Sequence, residues 1–297
     1  MTHIQVGEVT VGFQEDGPSD GEPILLIMGL GMQLIAWPPA IVDGLVAEGF
    51  RVIRFDNRDI GLSSRTEAPL PTRTDVLKSF THRRLAKADY TLADMATDAM
   101  GVLDHLGIDS AHVVGASMGG MIAQQIVIDF PERVRSLCSI MSTTGDRRRG
   151  RIAPSLLASV GLGFTAPRPE DPQAAEDVAV RVYQALAGDH ANVEELRAMV
   201  RASLERGPNP HAVVRQLSAI LASPDRTAAL GRVTVPTLVI HGLKDKLVSF
   251  TGGLATARAV PGSRLLAFPD MAHDLPGPRR AEIVEAIARN ARRAGAR

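Results

Sequence analysis

The chain has 297 residues, of which 45% are hydrophobic and 22% charged, the composition of an ordinary soluble globular protein. Lysine plus arginine and aspartate plus glutamate both number 33, so no net charge favours nucleic acid or an anionic membrane as a partner. With a single cysteine, the chain has no intrachain disulfide framework.

The beginning of the chain carries no export signal that we recognise. Residues 1–5 lack the basic start and the apolar stretch of a signal peptide, and no segment approaches the ~20 apolar residues of a membrane span. We therefore expect a cytoplasmic protein without a membrane partner. Cys138 lies in an apolar run, which predicts a buried and unreactive thiol. The sequence leaves a homodimer open.

Strand-like and helix-like segments alternate through the first half of the chain. Short, wholly apolar strands separated by helices predict a parallel sheet that is covered on both faces. The predicted strands are 10–14, 23–28, 51–55, 111–115 and 134–141, and the predicted helices are 41–48, 92–106 and 118–130.

This alternation stops after Met141, and three helical patterns follow without a clear strand, near 178–186, 193–204 and 211–221. The alternation then resumes, with strands at 235–241 and 264–268 and helices at 250–260 and 278–293. We therefore predict a core domain of residues 1–141 and 233–297, with residues 142–232 inserted as a helical cap. The basic run 147–151 could bind an anion, but we interpret it as a solvated surface.

The clearest chemical signal surrounds Ser117, between a predicted strand and a predicted helix. A serine on such a tight turn adopts a strained backbone and exposes its hydroxyl at the end of the sheet, and only small neighbours fit around it. Ser117 has glycine two residues away on either side, in the run Gly115-Ala116-Ser117-Met118-Gly119. The pattern predicts a nucleophilic serine.

A serine hydroxyl needs a base to take its proton and a third group to orient that base. Asp245 follows the predicted strand 235–241, and His273 follows the next strand. Both therefore lie beyond the carboxyl ends of parallel strands, where α/β sheets gather their sites. Asp146 is an alternative acid, and we interpret His241 as structural. No histidine pair has the spacing of a metal site, so we predict no metal.

An acyl-transfer site also needs hydrogen-bond donors for the oxyanion. The glycine-rich loop 28–32 follows a predicted strand, and we assign one backbone N–H to Leu30. The second N–H is assigned to Met118, the residue after the nucleophile. We expect Gly29, Met32 and Met121 to contact the substrate in an apolar pocket, which the Met118 side chain also lines and the cap helices close.

Together these segments resemble the α/β-hydrolase superfamily, and within it the sequence is similar to the aclacinomycin methylesterase-like carboxylesterases. The resemblance covers essentially the whole chain and is carried by 29–31, 56–63, 115–120, 241–245 and 271–273. It implies an eight-stranded, mostly parallel sheet with helices on both faces and a helical cap after the sixth strand. It also implies hydrolysis of carboxylic esters without a cofactor. We interpret the segment 56–63 as structural, with Arg58 bracing the loop.

The predicted function is hydrolysis of a small to medium apolar ester, for instance a methyl ester, through an acyl-enzyme on Ser117. Three alternatives remain open at this stage. The same triad serves cofactor-free perhydrolases of the haloperoxidase type, and it serves hydrolases of lactones or of carbon–carbon bonds. The third alternative belongs to another class, a non-catalytic small-molecule receptor on the same fold.

Overall fold

A computed structural model describes residues 2–156 and 171–295, so residues 157–170 of the predicted cap lie outside the described residues. Eight strands form one sheet in the order β1-β2-β4-β3-β5-β6-β7-β8, in which the pairs β1–β2 and β2–β4 are antiparallel and the other pairs parallel. The expected eight-stranded, mostly parallel sheet is confirmed. The strands are β1 (Thr2–Val6), β2 (Val9–Asp16), β3 (Glu22–Ile27), β4 (Phe50–Phe55), β5 (Ala111–Ala116), β6 (Val134–Ile140), β7 (Thr237–Gly242) and β8 (Arg264–Phe268).

Helices cover both faces of this sheet. Those between β6 and β7 occupy the place predicted for the cap, and α2 is a helix that the apolar pattern does not indicate. In the described residues, no helix is long and apolar enough to cross a membrane. The helices are α1 (Pro39–Ala47), α2 (Arg73–Thr81), α3 (Leu92–His105), α4 (Met118–Asp129), α5 (Pro172–Leu186), α6 (Val193–Arg206), α7 (Ala212–Ala222), α8 (Thr227–Leu230), α9 (Thr251–Ala259) and α10 (Arg280–Arg292).

Two elements lack the signal that the sequence pattern depends on. Strand β1 is an edge strand that pairs with β2 alone, and of its five residues Ile4 is the buried one. Helix α2 buries little apolar surface and is defined instead by a capping box, in which Thr72 and Asp75 satisfy each other's backbone N–H groups. Neither element therefore has an apolar run that would indicate it.

Strand β3, in the middle of the sheet, is apolar from Ile24 to Ile27 because both sheet faces are buried there. Leu25 and Ile27 pack against α3 and α4, whereas Ile24 and Leu26 pack on the opposite face against α1 and α10, and all four are fully buried. Cys138 belongs to the second of these clusters, and burial raises the pKa of its thiol. The thiol is therefore held in its neutral, unreactive form.

The turn between β5 and α4 packs more closely than any side chain would allow. A Cβ atom on Gly119 would overlap the carbonyl oxygen of Ile27, and one on Gly115 would overlap the backbone of Gly119. These two glycines let β3, β5 and α4 converge on Ser117. Glycine is required here for close approach, because no positive φ occurs at either residue.

We expect Gly119→Ala to lower the free energy of unfolding by about 1–3 kcal/mol or more, because the added methyl group must displace backbone rather than a mobile side chain. Gly277→Ala is the matched control, since a Cβ atom there would meet no heavy atom within 4 Å. Urea unfolding of both variants measures the difference. Equal free energies of unfolding for Gly119→Ala and Gly277→Ala would contradict the close packing described at the turn.

Candidate active site

Ser117 lies between the end of β5 and the first residue of α4, and its backbone has φ 56° and ψ −118°. This left-handed conformation is strained for a residue with a side chain. A hydrogen bond from Ser117 N to the Ile140 carbonyl, at 2.9 Å, fixes the turn from the neighbouring strand. The residues on either side are buried, whereas Ser117 is partly exposed, so the turn presents the hydroxyl to the space above the sheet.

The structure brings Ser117, His273 and Asp245 into one hydrogen-bonded chain. His273 Nε2 lies 2.9 Å from Ser117 Oγ, and His273 Nδ1 lies 2.7 Å from Asp245 Oδ2. An ionised carboxylate only accepts hydrogen bonds, so Nδ1 donates to Asp245. In the neutral imidazole, Nε2 is then left with a lone pair directed at the serine hydroxyl.

Asp245 is buried and surrounded by donors. Its Oδ1 accepts from the N–H groups of Leu247 and Val248, both at 2.9 Å. Burial by itself would raise the pKa of this carboxyl, but the charge of His273 and hydrogen bonds from His241 and His273 outweigh it and lower the pKa to about 2. Asp245 is therefore ionised at neutral pH and holds the imidazole in one orientation.

The two rival residues from the sequence analysis occupy other roles. His241 is fully buried, and its Nε2 lies 2.8 Å from the Val248 carbonyl and 3.4 Å from Asp245 Oδ2. Because a carbonyl accepts, Nε2 carries the proton, and His241 supports the turn that bears Asp245. The carboxylate of Asp146 accepts from Arg148 N at 2.9 Å and caps a turn after β6.

The loop 28–32 lies against the nucleophile. A Cβ atom on Gly29 would sit 3.1 Å from Ser117 Cβ and 3.6 Å from its Oγ, so the loop backbone reaches the serine. Among residues 2–156 and 171–295, the N–H groups of Leu30 and Met118 have no hydrogen-bond acceptor. The Met118 N–H also stands at the first turn of α4, where the helix dipole is positive.

A cavity of about 470 Å³ opens beside these groups and is lined by Ser117, His273 and a largely apolar wall. Helices α5 and α6 contribute one side and the loop after β3 the other. An ion pair between Arg280 and Glu195, at 2.6 Å, also belongs to the lining. The apolar wall includes Leu30, Met32, Ile35, Val178, Val182, Leu196 and Met199.

Of the residues predicted to contact substrate, Gly29 and Met32 line the cavity, but Met121 does not. Met121 lies one turn along α4 and packs in the core cluster between this helix and the sheet. The side chain of Met118 is also buried in that cluster. The prediction for these two side chains is wrong because α4 directs them down onto the sheet, away from the space above Ser117.

Several contacts from the helices between β6 and β7 have no counterpart in the sequence analysis. The Leu186 carbonyl accepts from His273 N at 3.0 Å, and Gly188 N donates to Asp274 at 3.1 Å. Arg206 forms a buried ion pair with Asp56 at 2.5 Å. The partners are far apart in the chain, so no local pattern indicates them.

The segment 56–63 is held from within the core. Asp56 accepts from Leu34 N at 2.8 Å and from Leu62 N at 3.0 Å. Arg58 contacts both oxygens of Asp98, at 2.7 and 2.8 Å, so it braces the loop as the sequence analysis expects. Within the described residues, no group of three or more His, Cys, Asp or Glu side chains could hold a metal ion.

A family model described as the alpha/beta hydrolase fold matches residues 22–276, and the chain belongs to this family of enzymes. Rhodomycin D methylesterase DnrP of Streptomyces peucetius is 29% identical over 291 residues, which cover 91% of this chain and 90% of that protein. The 2-hydroxy-6-oxo-6-phenylhexa-2,4-dienoate hydrolase of Comamonas testosteroni is 26% identical over 278 residues, which cover 92% of this chain and 88% of that protein. The expected resemblance to methylesterases is thus confirmed.

A solved structure shares the fold at lower identity. Esterase EaEST from Exiguobacterium antarcticum superimposes with a TM-score of 0.75 at 19% identity, covering 98% of this chain and 99% of that one. At this identity the likeness concerns the fold alone.

The low pKa of Asp245 links its charge to stability. The ionised carboxylate stabilises the fold above its ordinary pKa of 3.8, and this contribution is lost as the pH falls towards about 2. In Asp245→Asn an amide N–H₂ faces N–H donors, so the variant is less stable than wild type at neutral pH. We expect that difference to narrow by about 1 kcal/mol between about pH 6 and about pH 3, because only part of the linkage is lost before the pH reaches the folded-state pKa. Urea unfolding at intervals from about pH 6 to about pH 3 measures it, and a gap that widens would contradict the proton linkage.

Proposed function

We propose that this chain is a serine carboxylic ester hydrolase that acts through an acyl-enzyme on Ser117. The observation that carries the proposal is the hydrogen-bonded chain Ser117–His273–Asp245 at the wall of a largely apolar cavity. A base within hydrogen-bonding reach of a hydroxyl, and a carboxylate that orients that base, are what activation of a serine requires.

In the first half of the reaction, Ser117 Oγ attacks the ester carbonyl while its proton passes to His273 Nε2. Asp245 stabilises the imidazolium that forms, and the carbonyl oxygen becomes an oxyanion. The N–H groups of Leu30 and Met118 donate to this oxyanion. The tetrahedral intermediate then breaks its bond to the alcohol oxygen, which takes the proton from His273 and leaves.

In the second half, His273 removes a proton from water, and the hydroxide formed attacks the acyl-enzyme carbonyl. The same two N–H groups hold the second oxyanion. When this intermediate collapses, the bond to Ser117 Oγ breaks, the proton returns to the serine, and the carboxylic acid is released. The reaction consumes one water, and Ser117 and His273 carry every proton transfer in it.

The cavity favours a neutral, largely apolar ester. Its size is suited to a drug-sized ligand, and apolar side chains make up most of its wall. The charges of Arg280 and Glu195 neutralise each other, so they do not favour an ionised substrate. The relative from Streptomyces peucetius is named a methylesterase, which supports a methyl ester as the substrate.

We further propose that residues 142–232 act as the cap that selects this substrate. Helices α5 and α6 supply apolar side chains to the cavity, while the nucleophile, base and acid come from the core. The reaction type then belongs to the core, and the size of the accepted ester to the cap.

A fluorophosphonate should label Ser117, because a fluorophosphonate requires a serine activated by a base. Ser117→Ala should lower the turnover of p-nitrophenyl butyrate by roughly four to six orders of magnitude without changing the unfolding midpoint. Ser263→Ala is the control, since its hydroxyl bonds the Ala257 carbonyl away from the cavity. Peptide mass spectrometry locates the label, and modification at another serine would refute the proposal.

Substitution to asparagine distinguishes the two candidate acids, Asp245 and Asp146. Asp245→Asn should lower kcat by about 10⁴, because the amide can donate to the imidazole and leave it with the proton on the wrong nitrogen. Asp146→Asn should stay close to wild type, since Asp146 caps a turn. Steady-state kinetics of both variants show which of the two residues is the acid. If the effects were reversed, the acid would lie after β6.

A further inference from the structure

We propose that Gln216, which α7 contributes from the cap region, is a positioning residue that aims the Leu30 N–H at the oxyanion. The inference rests on the proposed function and concerns how the cap region takes part in it. Gln216 is fully buried and lies 185 positions along the chain from the loop that it contacts.

The side chain of Gln216 bridges two loops at the carboxyl end of the sheet. Its Oε1 accepts from Gly31 N at 2.8 Å, and its Nε2 donates to the Arg58 carbonyl at 2.9 Å. The partners determine the orientation of the amide, because a backbone N–H only donates and a carbonyl only accepts. A flipped amide would lose both bonds.

The loop that carries the oxyanion donor has little rigidity of its own. Gly31 has φ +71°, and the loop closes on itself with one backbone bond, from Met32 N to the Gly29 carbonyl at 3.2 Å. Glycine leaves the backbone free to adopt other conformations. The direction of the Leu30 N–H therefore depends on what holds its neighbours.

Two side-chain amides hold the loop on either side of Leu30. Asn57 Nδ2 donates to the Met28 carbonyl at 3.0 Å, before Leu30, and Gln216 accepts from Gly31 N, after it. Asn57 comes from the core and Gln216 from the cap region. The loop is therefore fixed only where both regions are in place.

Gln216 is itself firmly held. The preceding residue, Arg215, is buried and bonds both Asp89 and the Ala68 carbonyl. Beyond the other end of α7, Ser223 Oγ accepts from Leu92 N at 3.0 Å. Since α7 is tied to the core at Arg215 and again just after its last residue, at Ser223, Gln216 presents a fixed acceptor to the loop.

This arrangement predicts a defect in the chemical step. The oxyanion forms only in the transition state and the intermediates, so a misdirected Leu30 N–H should lower kcat and leave substrate binding unchanged. Loss of an entire oxyanion donor costs about 10²–10³ in kcat, so misdirection should cost roughly 10–100-fold.

The decisive variant is Gln216→Met, which keeps the length of the side chain and removes both hydrogen bonds. We expect kcat for p-nitrophenyl butyrate to fall roughly 10–100-fold with KM within about twofold of wild type. A trifluoromethyl ketone, which forms a tetrahedral oxyanion on Ser117, should bind more weakly by a similar factor. The unreactive methyl ketone of the same chain length should bind as before.

Gln125→Met is the matched control, because it removes a buried glutamine whose amide bonds Asp129 outside the cavity. Its kcat and ketone affinity should match wild type. The proposal is overturned if Gln216→Met folds and retains wild-type kcat and ketone affinity. It is equally overturned if KM rises as much as kcat falls, since Gln216 would then shape the pocket.

Gln216→Glu gives a second test that also serves if the methionine variant does not fold. A protonated carboxyl accepts from Gly31 N and donates to the Arg58 carbonyl, as the amide does, whereas the ionised form cannot donate. The ratio of variant to wild-type kcat should therefore fall as pH rises through the pKa of the introduced carboxyl. A ratio that stays constant over the whole pH range in which wild type is active would count against a positioning role.

The outcomes for the two proposals are distinct. If Ser117→Ala keeps full activity, the proposed hydrolase mechanism fails whatever Gln216 does. If Ser117 is essential and the Gln216 variants behave as wild type, the mechanism stands and the positioning role alone is refuted.

Discussion

The strained backbone of Ser117 is the constraint on which the rest of the structure depends. A residue with a side chain holds φ 56° only where its surroundings leave no alternative. Here β3, β5 and α4 converge at distances that exclude a Cβ atom on Gly115 or Gly119, and the Ile140 carbonyl holds Ser117 N from β6. Because this packing places the hydroxyl above the strand ends, the loops after β3, β7 and β8 can reach it.

Those loops do not depend on the core alone. The His273 backbone N–H donates to the Leu186 carbonyl, and the loop after β3 is bonded to Gln216. A cap region that only covered the cavity could open without consequence for the chemistry. In this protein, moving the cap region away would break hydrogen bonds to the loops that carry His273 and Leu30.

A buried charge also holds the helices between β6 and β7 against the core. Arg206 reaches from α6 to Asp56, which is fully buried and also accepts from two backbone N–H groups of the core. Removing one partner of such a pair leaves an uncompensated buried charge, which strongly destabilises the arrangement. Asp245 follows the same rule, since four donors surround its two oxygens.

The sequence by itself determined seven of the eight strands, the turn at Ser117 and the candidate triad. Each of them has a local pattern: apolar runs, small residues beside a serine, and polar residues at strand ends. It did not indicate β1 or α2, whose residues bury little apolar surface, and it placed Met121 at the cavity although α4 directs that side chain onto the sheet. Only the tertiary structure decided which distant side chains meet. The contact between Gln216 and Gly31 joins residues from separate elements, and its geometry depends on how α7 packs on the core, which no stretch of sequence encodes locally.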